Sequence, residues 1–398
     1  MNIGMLLDKE FYGDLRVENE VQALSNSGFN VYLFCFSFAN NSSIDDYFGA
    51  KIIHIPVSKK IIYKLRGLTN TILNLYPYYL KSLIEKFIIE YKIDVLHIHD
   101  LYLFETGLIL RKKYPRLILV GDLHENYVEG LKHYKFANTF PGKFLISINK
   151  WEKKEIEWCN NFDYLITVIE EAVERYTSLG IPKEKLYVVS NYVNLNTFKV
   201  DTFDEAILSK FKEFKTLIYV GGFDIHRGLE SVIDSVTFII KKINEFKLIL
   251  VGEGANINSL KAQAESLGIE NYISFEGWQH HLKLPSYIKA ADVCLIPHLK
   301  TQHTDNTIPH KLFQYMFLKK PIISSNCNPI VRILKESNAG IIYKSADSKD
   351  LAEKVISLFS SESLIDCYGN NGYKAVAEKY NWEETSKNLI NLYNHLYN

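Results

Sequence analysis

Short apolar runs alternate with amphipathic stretches of helical length along most of the chain. This alternation is typical of parallel β-sheets whose faces are covered by helices. In the first half, the apolar runs that we predict as strands are Ile3–Leu7, Val31–Phe36, Ile52–Ile55, Val95–Ile98, Leu117–Val120, Tyr164–Val168 and Leu186–Val189. A helical pattern from Leu15 to Ser27 follows the first run and ends before Gly28, the residue type favoured just after a helix.

A second series of the same kind begins near Thr216, after the polar and charged segment 197–214. Its predicted strands are Leu217–Val220, Leu248–Val251, Ile273–Phe275, Val293–Ile296, Pro321–Ser324 and Gly340–Tyr343. Its predicted helices are Leu229–Ile240, Ile257–Leu267 and Lys311–Leu318. The two series predict two doubly wound α/β domains, in which ligands bind beyond the carboxyl ends of the strands.

Composition narrows the class of protein. A length of 398 residues suits two domains, and 47% hydrophobic with 23% charged residues indicates a globular protein. Lysine plus arginine and aspartate plus glutamate number 46 each, which argues against a nucleic-acid-binding protein. The five cysteines lack metal-ligand spacing, the first residues do not resemble a signal peptide, and no apolar run is long enough to span a membrane. We therefore expect a reduced, cytoplasmic protein.

A glycine pair ends the first strand of the second series, in the segment 219–236. Gly221 and Gly222 allow the backbone to approach an anion, and the helix that begins near Gly228 offers free N–H groups to it. Arg227, just before that helix, could bind a diphosphate through both edges of its guanidinium. The alternative is an ordinary turn with a solvated arginine.

Two further loops also connect a predicted strand to the start of a predicted helix. Gly252 and Gly254 follow the next strand, but a third glycine is missing, so the dinucleotide fingerprint is incomplete and an NAD site is disfavoured. The polar loop in the segment 306–323 leads into a helix whose first turns carry Lys311 and Gln314. An amide there could hydrogen-bond a ribose hydroxyl, or simply lie on the helix surface.

Histidines and carboxylates follow two neighbouring strands of the first series. His99 and Asp100 end one strand, and Asp122, His124 and Glu125 end the next. Their position at adjacent strand ends predicts that imidazole and carboxylate groups share one cleft. His97 alternates with His99 and is expected to have a structural role. These histidines lack the compact ligand set that a metal site needs.

Taken together, these motifs resemble the retaining GT-B glycosyltransferases of the large bacterial family 4 type, which build capsules, lipopolysaccharide and exopolysaccharide. The resemblance covers nearly the whole chain. It is carried by Asp14, Arg16, Val17 and Glu20, by DVLHIHD, DLHE, VVSNYVNLNTF, YVGGFDIHRG, LVGEG, ISFEGW, ADVCLIP and IPHKLFQYMFLKKPII, and by the ending EKYNWEETSKNLINLYNHL.

The resemblance implies a GT-B fold, in which two Rossmann-like domains face each other across a cleft. An acceptor-binding domain would span residues 1–198 together with a helix, 382–398, that crosses back onto it. A nucleotide-sugar-binding domain would span residues 199–381. Catalysis would transfer a sugar with retention of configuration, by same-face attack and without a metal or other cofactor.

The resemblance also assigns roles to individual residues. The catalytic residues would be His124, Arg227 and Asn306. The donor would be bound by Gly13, Gly221, Gly222, Gly252, Glu253, Gly277, Trp278, Thr307, Ile308, Pro309, Lys311 and Gln314. The acceptor side would hold His99, Asp100 and Glu125.

The sequence departs from the family pattern at two places. Gly222 and Phe223 stand where relatives usually carry a second basic residue, and Asn306 and Gln314 stand where relatives carry a pair of glutamates. These departures keep two alternatives open: a nucleotide-sugar-binding subunit without activity, and a GT-B nucleotide-sugar epimerase that uses carboxylates in the cleft. A sugar phosphorylase is disfavoured because its longer chain is absent.

The expected partners follow from the resemblance and from one basic segment. The donor would be a nucleotide sugar, UDP-linked rather than GDP-linked because UDP-sugars are common in such families. The acceptor would be a glycan or a polyprenyl-linked glycan. Residues 56–92 combine lysines and arginines with aromatic residues in a helical pattern, which would suit peripheral contact with the inner face of the plasma membrane. A solvated helix pair is the alternative, and residues 133–151 could extend the same surface.

Overall fold

The structure is a computed structural model that describes residues 1–39, 42–132, 137, 139–140, 142–198 and 202–397. The chain forms two compact units. Unit 1 comprises Met1–Asn191 and Glu383–Asn398, and unit 2 comprises Tyr192–Trp382. The boundary that we predicted after residue 198 thus lies a little beyond the point where the chain enters unit 2.

Unit 1 contains an eight-stranded sheet, with helices between successive strands except from β2 to β4. The strands are β1 Asn2–Leu6, β2 Asn30–Ser37, β3 Ser43–Tyr47, β4 Ala50–Pro56, β5 Val95–His99, β6 Ile118–Leu123, β7 Tyr164–Thr167 and β8 Leu186–Val188. The helices are α1 Leu15–Asn26, α2 Lys59–Gly67, α3 Tyr76–Tyr91, α4 Phe104–Lys113, α5 Tyr127–Leu131, α6 Gly142–Leu145, α7 Ile148–Asn161 and α8 Glu170–Ser178. The strand order is β3-β4-β2-β1-β5-β6-β7-β8.

The edge strand β3 differs from the rest of this sheet. It runs antiparallel to β4, pairing Tyr47 with Ala50, whereas the other neighbours are parallel. Its sequence SIDDY is polar and mostly solvent-facing. The apolar pattern therefore did not predict this strand.

Unit 2 contains a fully parallel six-stranded sheet. The strands are β9 Lys215–Val220, β10 Phe246–Val251, β11 Ile273–Gly277, β12 Val293–Ile296, β13 Ile322–Ser325 and β14 Gly340–Tyr343. The helices are α9 Glu205–Phe211, α10 Leu229–Ile239, α11 Ile257–Ser266, α12 Leu284–Ala290, α13 Lys311–Phe317, α14 Asn328–Ser337, α15 Ser348–Phe359 and α16 Glu362–Glu378. The order β11-β10-β9-β12-β13-β14 and the parallel pairing confirm the prediction of two doubly wound α/β units.

Each unit has its own apolar core. In unit 1, aromatic rings fill the space between sheet and helices; Phe104 stacks on Phe162 with ring centroids 4.2 Å apart. In unit 2, Leu217, Leu248 and Val232 lie in a core between the sheet and α10, without solvent exposure. Such burial is the main stabilising contribution to each unit.

A last helix, α17 Trp382–Tyr397, returns the chain to unit 1. Its Tyr393 is fully buried there and packs against Phe29 with ring centroids 5.9 Å apart. A helix at 382–398 was predicted from the family resemblance.

Both sheets have a position where the strand order reverses direction, between β1 and β5 in unit 1 and between β9 and β12 in unit 2. The loops that leave the carboxyl ends of these strands diverge, which opens a crevice for ligands. The loops after β1, β5 and β6 carry the histidines and carboxylates, and the loop after β9 carries the glycine pair. The fold therefore places the predicted motifs where ligands bind in open α/β sheets.

Substitution of Gly340, the first residue of β14, tests how closely the strands of unit 2 pack. A Cβ on Gly340 would collide with the carbonyl oxygen of Ile322 on the paired strand β13. We expect Gly340→Ala to lower the free energy of unfolding by about 2 kcal/mol, as overpacked sites do. Urea denaturation followed by circular dichroism measures this change. Gly67→Ala is the control because a Cβ there meets nothing within 4 Å; equal stability of the two variants would contradict the prediction.

Candidate functional site

The histidine that sequence reasoning placed at the reaction centre lies just after β6. His124 Nε2 is 2.7 Å from Asp122 Oδ2, and its Nδ1 is 3.6 Å from Asp100 Oδ1. His99, at the end of β5, contacts the same Asp122 oxygen at 3.1 Å through Nδ1. The predicted cluster of imidazole and carboxylate groups is therefore present in unit 1.

A buried arginine lies beneath this cluster. Arg16, on α1, donates two hydrogen bonds to Asp122, from Nε at 2.9 Å and from Nη2 at 2.6 Å. Its Nη1 donates to the carbonyl oxygen of Val189 at 2.8 Å and to Asn191 Oδ1 at 2.7 Å. The bidentate geometry fixes the carboxylate that in turn orients His124.

The charges of this cluster are set by competition between burial and neighbours. Burial opposes ionisation of Asp122, but Arg16 and His124 hold the pKa of this carboxyl well below its ordinary value. Burial likewise opposes protonation of His124, but Asp122 and Asp100 raise its pKa to about 9. At neutral pH, this raised pKa favours the protonated imidazole ring, which donates hydrogen bonds from both nitrogens.

A second line of buried polar groups connects this cluster to α17. Glu20 Oε1 lies 3.0 Å from Arg16 Nη2, and Glu20 Oε2 lies 3.6 Å from His97 Nε2. His97 Nδ1 is 2.9 Å from the hydroxyl of Tyr393. Burial and the nearby Asp122 raise the pKa of Glu20 to about 8, although Arg16 opposes the shift. The expected structural role of His97 agrees with this fully buried position.

Four of these side chains form a set with the chemistry of a metal site. Ligand atoms of Glu20, His97, His99 and Asp122 all lie within 4.8 Å of one another. The expectation that these histidines lack a compact ligand set was therefore wrong. The Arg16 guanidinium already contacts both carboxylates of the set, so the positive charge that a metal would supply is present without it. The absence of a required metal remains a prediction.

The three residues predicted on the acceptor side differ in exposure. Asp100 and Glu125 are half-buried beside His124, whereas His99 has no exposed surface and supports Asp122. Asp100 has φ of 70° and ψ of 131°, a conformation that costs free energy in any residue with a side chain. Its N–H donates to the carbonyl oxygen of Asp122 at 2.9 Å, which joins the two strand ends. Strained backbone of this kind is concentrated at functional sites.

Gly13, predicted to contact donor phosphate, lies in the loop between β1 and α1 with φ of 96°. Its N–H donates to Glu18 Oε1 at 2.6 Å. In this conformation its N–H group is occupied by a carboxylate, so a phosphate contact requires Glu18 to move.

In unit 2, the predicted glycines allow two loops to pack closely. Gly221 and Gly252 have φ of 144° and 138°, and a Cβ on Gly252 would collide with the carbonyl oxygen of Gly221. A Cβ on Gly254 would collide with the backbone of Phe223, which donates from its N–H to the carbonyl oxygen of Glu253 at 2.9 Å. These glycines therefore have a packing role, whatever they contribute to ligand binding.

Arg227 lies in a single 3₁₀ turn, Ile225–Arg227, directly before α10. Its Nη1 is 2.9 Å from Nε2 of His298, which follows β12 across the position where the strand order reverses. His298 is buried, and burial together with Arg227 lowers its pKa well below the ordinary value. A neutral imidazole thus accepts a hydrogen bond from the guanidinium and orients it.

Lys311, the first residue of α13, supplies a second cation at the same place. Its Nζ lies 4.0 Å from the centre of the Tyr219 ring, and a Cβ on Gly221 would collide with it. Burial and the neighbouring Arg227 lower the pKa of Lys311 well below its usual value. Within the described ranges, neither cation forms an ion pair with a carboxylate.

The remaining residues predicted in unit 2 lie on nearby loops. Asn306 and Thr307 are held by their own turn, with Asn306 Nδ2 donating to the Gln302 carbonyl oxygen at 2.7 Å and Thr307 Oγ1 donating to the His303 carbonyl oxygen at 3.0 Å. The His303 ring lies 6.1 Å from that of His226, next to Arg227. The other predicted residues on these loops are buried Ile308, the half-buried Gly277, Pro309 and Gln314, and the exposed Gly222 and Trp278.

Sequence reasoning missed two residues of this arrangement. His298 follows Pro297, just beyond the end of the predicted strand, and nothing in the local pattern connects it to Arg227. Arg16 was predicted only as part of the resemblance, although its place on the buried face of α1 one turn before Glu20 is a signal that could have identified a buried ion pair.

Two family models match the chain, one after the other. The model for Glycosyltransferase Family 4 matches residues 15–197. The model for Glycosyl transferases group 1 matches residues 200–375. Between them the models cover both units.

Individual relatives are distant. A glycosyltransferase of Methanocaldococcus jannaschii is 23% identical over 318 residues, which are 76% of this chain and 75% of the relative. The capsular polysaccharide biosynthesis glycosyltransferase CapM of Staphylococcus aureus is 22% identical over 237 residues, or 58% of this chain and 61% of CapM. Among solved structures, Anabaena HepE in complex with UDP and glucose has a TM-score of 0.74 at 15% identity, covering 99% of this chain and 100% of HepE.

The charge of His124 can be tested by titration. Its raised pKa means that the stabilising contribution of its protonated form is complete below pH 6.5 and is lost as the pH rises through about 9. We expect NMR of the ring nitrogens to show His124 titrating near 9 in the wild-type protein. Asp122→Asn should lower this pKa strongly, and Asp100→Asn should lower it less. Titration of the wild-type residue near 6.5 would contradict the imidazolium assigned to His124 at neutral pH.

Proposed function

Because the chain belongs to the GT-B glycosyltransferases of the family 4 type, we propose that it transfers a sugar from a UDP-sugar to a glycan or lipid-linked acceptor in polysaccharide biosynthesis, with retention of configuration. One observation carries the proposal: Lys311 lies against Gly221 with Arg227 as its charged neighbour, and neither side chain has a carboxylate partner among the described residues. A buried lysine and an arginine without a carboxylate partner, at the reversal point of a parallel sheet, favour a dianionic ligand.

The donor diphosphate would lie between Arg227, Lys311 and the first turn of α10. Lys311 supplies the second positive charge that the sequence lacks at Gly222 and Phe223. The lowered pKa of Lys311 reflects desolvation without an anion, and a bound diphosphate would favour its charged form. Exposed Trp278, after β11, offers an aromatic face to the nucleotide base.

Sugar transfer would follow from this placement. The acceptor hydroxyl attacks the anomeric carbon on the face from which the diphosphate leaves; the bond to the diphosphate breaks, and a diphosphate oxygen takes the hydroxyl proton. Arg227 and Lys311 stabilise the charge that develops on the leaving group, so neither a metal ion nor a general base from the protein is invoked. The family resemblance assigns the His124 imidazolium to hydrogen-bond donation to a sugar hydroxyl.

Asn306 and Gln314 replace the two acidic residues of the family and motivated the alternative of a binding subunit without activity. Both are half-buried amides, which can hydrogen-bond sugar and ribose hydroxyls without adding negative charge beside the diphosphate. The two glycosyltransferase family models that match the chain favour sugar transfer over the epimerase alternative.

Two of the similar proteins support the proposed donor and acceptor. Anabaena HepE, with the same fold, was solved with UDP and glucose. CapM, named for capsular polysaccharide biosynthesis, supports an acceptor of polysaccharide type.

A surface of unit 1 supports a lipid-linked acceptor. We define the apolar surface as the exposed side chains Ile61, Tyr63, Ile72, Leu73, Leu75, Tyr78, Phe140 and Phe144. Lys150 Nζ donates to the carbonyl oxygens of Asn70 and Thr71, at 2.8 and 3.3 Å, which joins the turn at 68–75 to α7. Exposed lysines on α2, at 59, 60 and 64, suit anionic headgroups.

We therefore propose peripheral membrane contact through this surface. None of the helices in the described part of the chain combines the length and the apolarity needed to span a bilayer. In the segment 133–151, residues 133–136, 138 and 141 lie outside the described residues.

Nucleotide binding tests the donor site. We expect UDP to raise the unfolding temperature more than GDP, ADP or CMP, because only ligands of the folded state stabilise it. Arg227→Ala and Lys311→Met should each weaken UDP binding by roughly tenfold, the value of a charge-assisted contact. Lys374→Ala, at an exposed position on α16, is the matched control. Unchanged UDP affinity in both site variants would refute this donor site.

Vesicle binding tests the apolar surface. We expect the wild-type protein to sediment with vesicles that contain anionic phospholipid, and Ile72→Ser with Phe144→Ser to reduce the bound fraction severalfold, since each removes exposed apolar area. The control is Leu282→Ser, which removes an exposed apolar side chain, 73% accessible, from unit 2. Equal sedimentation of both variants would rule out this surface.

A further inference from the structure

A cavity of about 400 Å³ lies in unit 1 beside His124. Its lining residues are Lys9, Arg66, Asp100, Tyr102, His124, Glu125 and Tyr127. Asp100, His124 and Glu125 belong to the predicted site, whereas the other four were not anticipated from the sequence. The cavity therefore adds residues of unit 1 to the site that the donor-binding prediction did not include.

Arg66, on α2, is held in a fixed orientation at this cavity. Its Nη2 donates to the carbonyl oxygen of Asp8 at 2.9 Å and lies 3.0 Å from Asp8 Oδ2. The guanidinium lies against two aromatic rings, 5.3 Å from the centre of Tyr63 and 5.2 Å from the centre of Tyr102. An arginine held on one edge and packed against two rings is pre-organised to bind a ligand with its remaining donors.

Asp8 is itself fully buried and fixed. It accepts hydrogen bonds from the hydroxyl of Tyr76 at 2.5 Å and from that of Tyr102 at 2.9 Å. Burial is the largest influence on its pKa, which is raised, although Arg66 opposes the shift. Tyr76, Tyr102 and Arg66 thus provide hydrogen-bonding partners for the Asp8 carboxylate, which in turn orients Arg66.

The guanidinium retains unused hydrogen-bonding capacity. Arg66 Nε is buried without a hydrogen-bond partner among the described residues. The contacts of the group with Asp8 both run through Nη2. A second cation, Lys9, lines the same cavity and is paired with Asp14 at 2.7 Å, outside the lining.

We infer that this cavity binds a phosphate group of the acceptor, held by Arg66 and Lys9, while the acceptor hydroxyl lies near His124. The inference rests on the proposed function and names the acceptor chemistry. A guanidinium edge and an ammonium group match tetrahedral phosphate oxygens, and the half-buried ring of Tyr127 in the cavity lining offers a face to a sugar ring next to the phosphate.

The surroundings of Arg66 favour a phosphate that carries an apolar chain. Tyr63 packs on the guanidinium and is 51% exposed, and Ile61 on the same helix is 56% exposed. Both belong to the apolar surface defined above. A chain leaving the phosphate along α2 would pass over these side chains toward the membrane, whereas a soluble sugar phosphate would use the cavity alone.

The test compares small probes on the full-length wild-type protein. Farnesyl phosphate carries both phosphate and chain, glucose 1-phosphate carries sugar and phosphate, and farnesol and glucose lack phosphate. Isothermal titration should detect binding of at least one phosphate probe and much weaker binding of farnesol and glucose. The tighter of the two phosphate probes identifies a lipid-linked or a soluble acceptor. Binding of farnesol or glucose as tight as that of the phosphate probes overturns the inference.

Substitutions at Arg66 test whether the phosphate probes bind in this cavity. Arg66→Gln should weaken the bound phosphate probe by roughly tenfold or more, and Arg66→Lys by less, because lysine keeps the charge but not the fork. Arg116→Gln, exposed in the same unit, should leave the affinity unchanged. Equal affinity in wild type and Arg66→Gln overturns the inference.

The failure of the inference and the failure of the proposed function are distinguishable. UDP binding depends on unit 2 and should persist in Arg66→Gln, which also shows that the variant is folded. Loss of phosphate-probe binding with intact UDP binding supports the acceptor site. A wild-type protein that binds UDP but none of the phosphate probes overturns only the inference.

Discussion

The ion pair between Arg16 and Asp122 is the constraint on which the geometry of unit 1 depends. A guanidinium and a carboxylate, each almost without solvent exposure, meet through two hydrogen bonds beneath His124. Removing one partner of such a pair typically costs about 3–5 kcal/mol, because the other charge stays buried. The pair therefore fixes α1, the end of β6 and the loop at 189–191 to one another, and His124 takes its position and its charge from them.

The two units differ in whether their buried charged side chains have partners of opposite charge. In unit 1 the buried charges are matched, Arg16 with Asp122 and Arg66 with Asp8, so that side chains next to the cavity stay rigid. In unit 2, Lys311 is desolvated beside Arg227, and neither has a carboxylate partner among the described residues, which costs stability in the free protein. An arrangement of this kind is stabilised when an anion binds.

Most of the fold followed from periodicity, because parallel strands are continuous apolar runs and their helices are amphipathic. The edge strand β3 was missed because it pairs on one side only and its sequence is polar. The closeness of the four possible metal-ligand atoms of Glu20, His97, His99 and Asp122 was also missed. The chemistry of the site was predictable where residues adjoin a strand end, as for His124. The chemistry was not predictable where a contact joins distant segments. His298 contacts Arg227, and Lys311 fills the space beside Gly221, through tertiary packing that no local pattern encodes.

The path of the chain also dictates the order in which the protein can be completed. Unit 1 closes only with α17, whose Tyr393 lies in its interior, yet all of unit 2 precedes that helix along the chain. On the ribosome, the second unit has every residue that it needs before the first one does. Until α17 has been made, the apolar surface that Tyr393 covers beside Phe29 stays open to solvent, and His97 lacks its tyrosine partner.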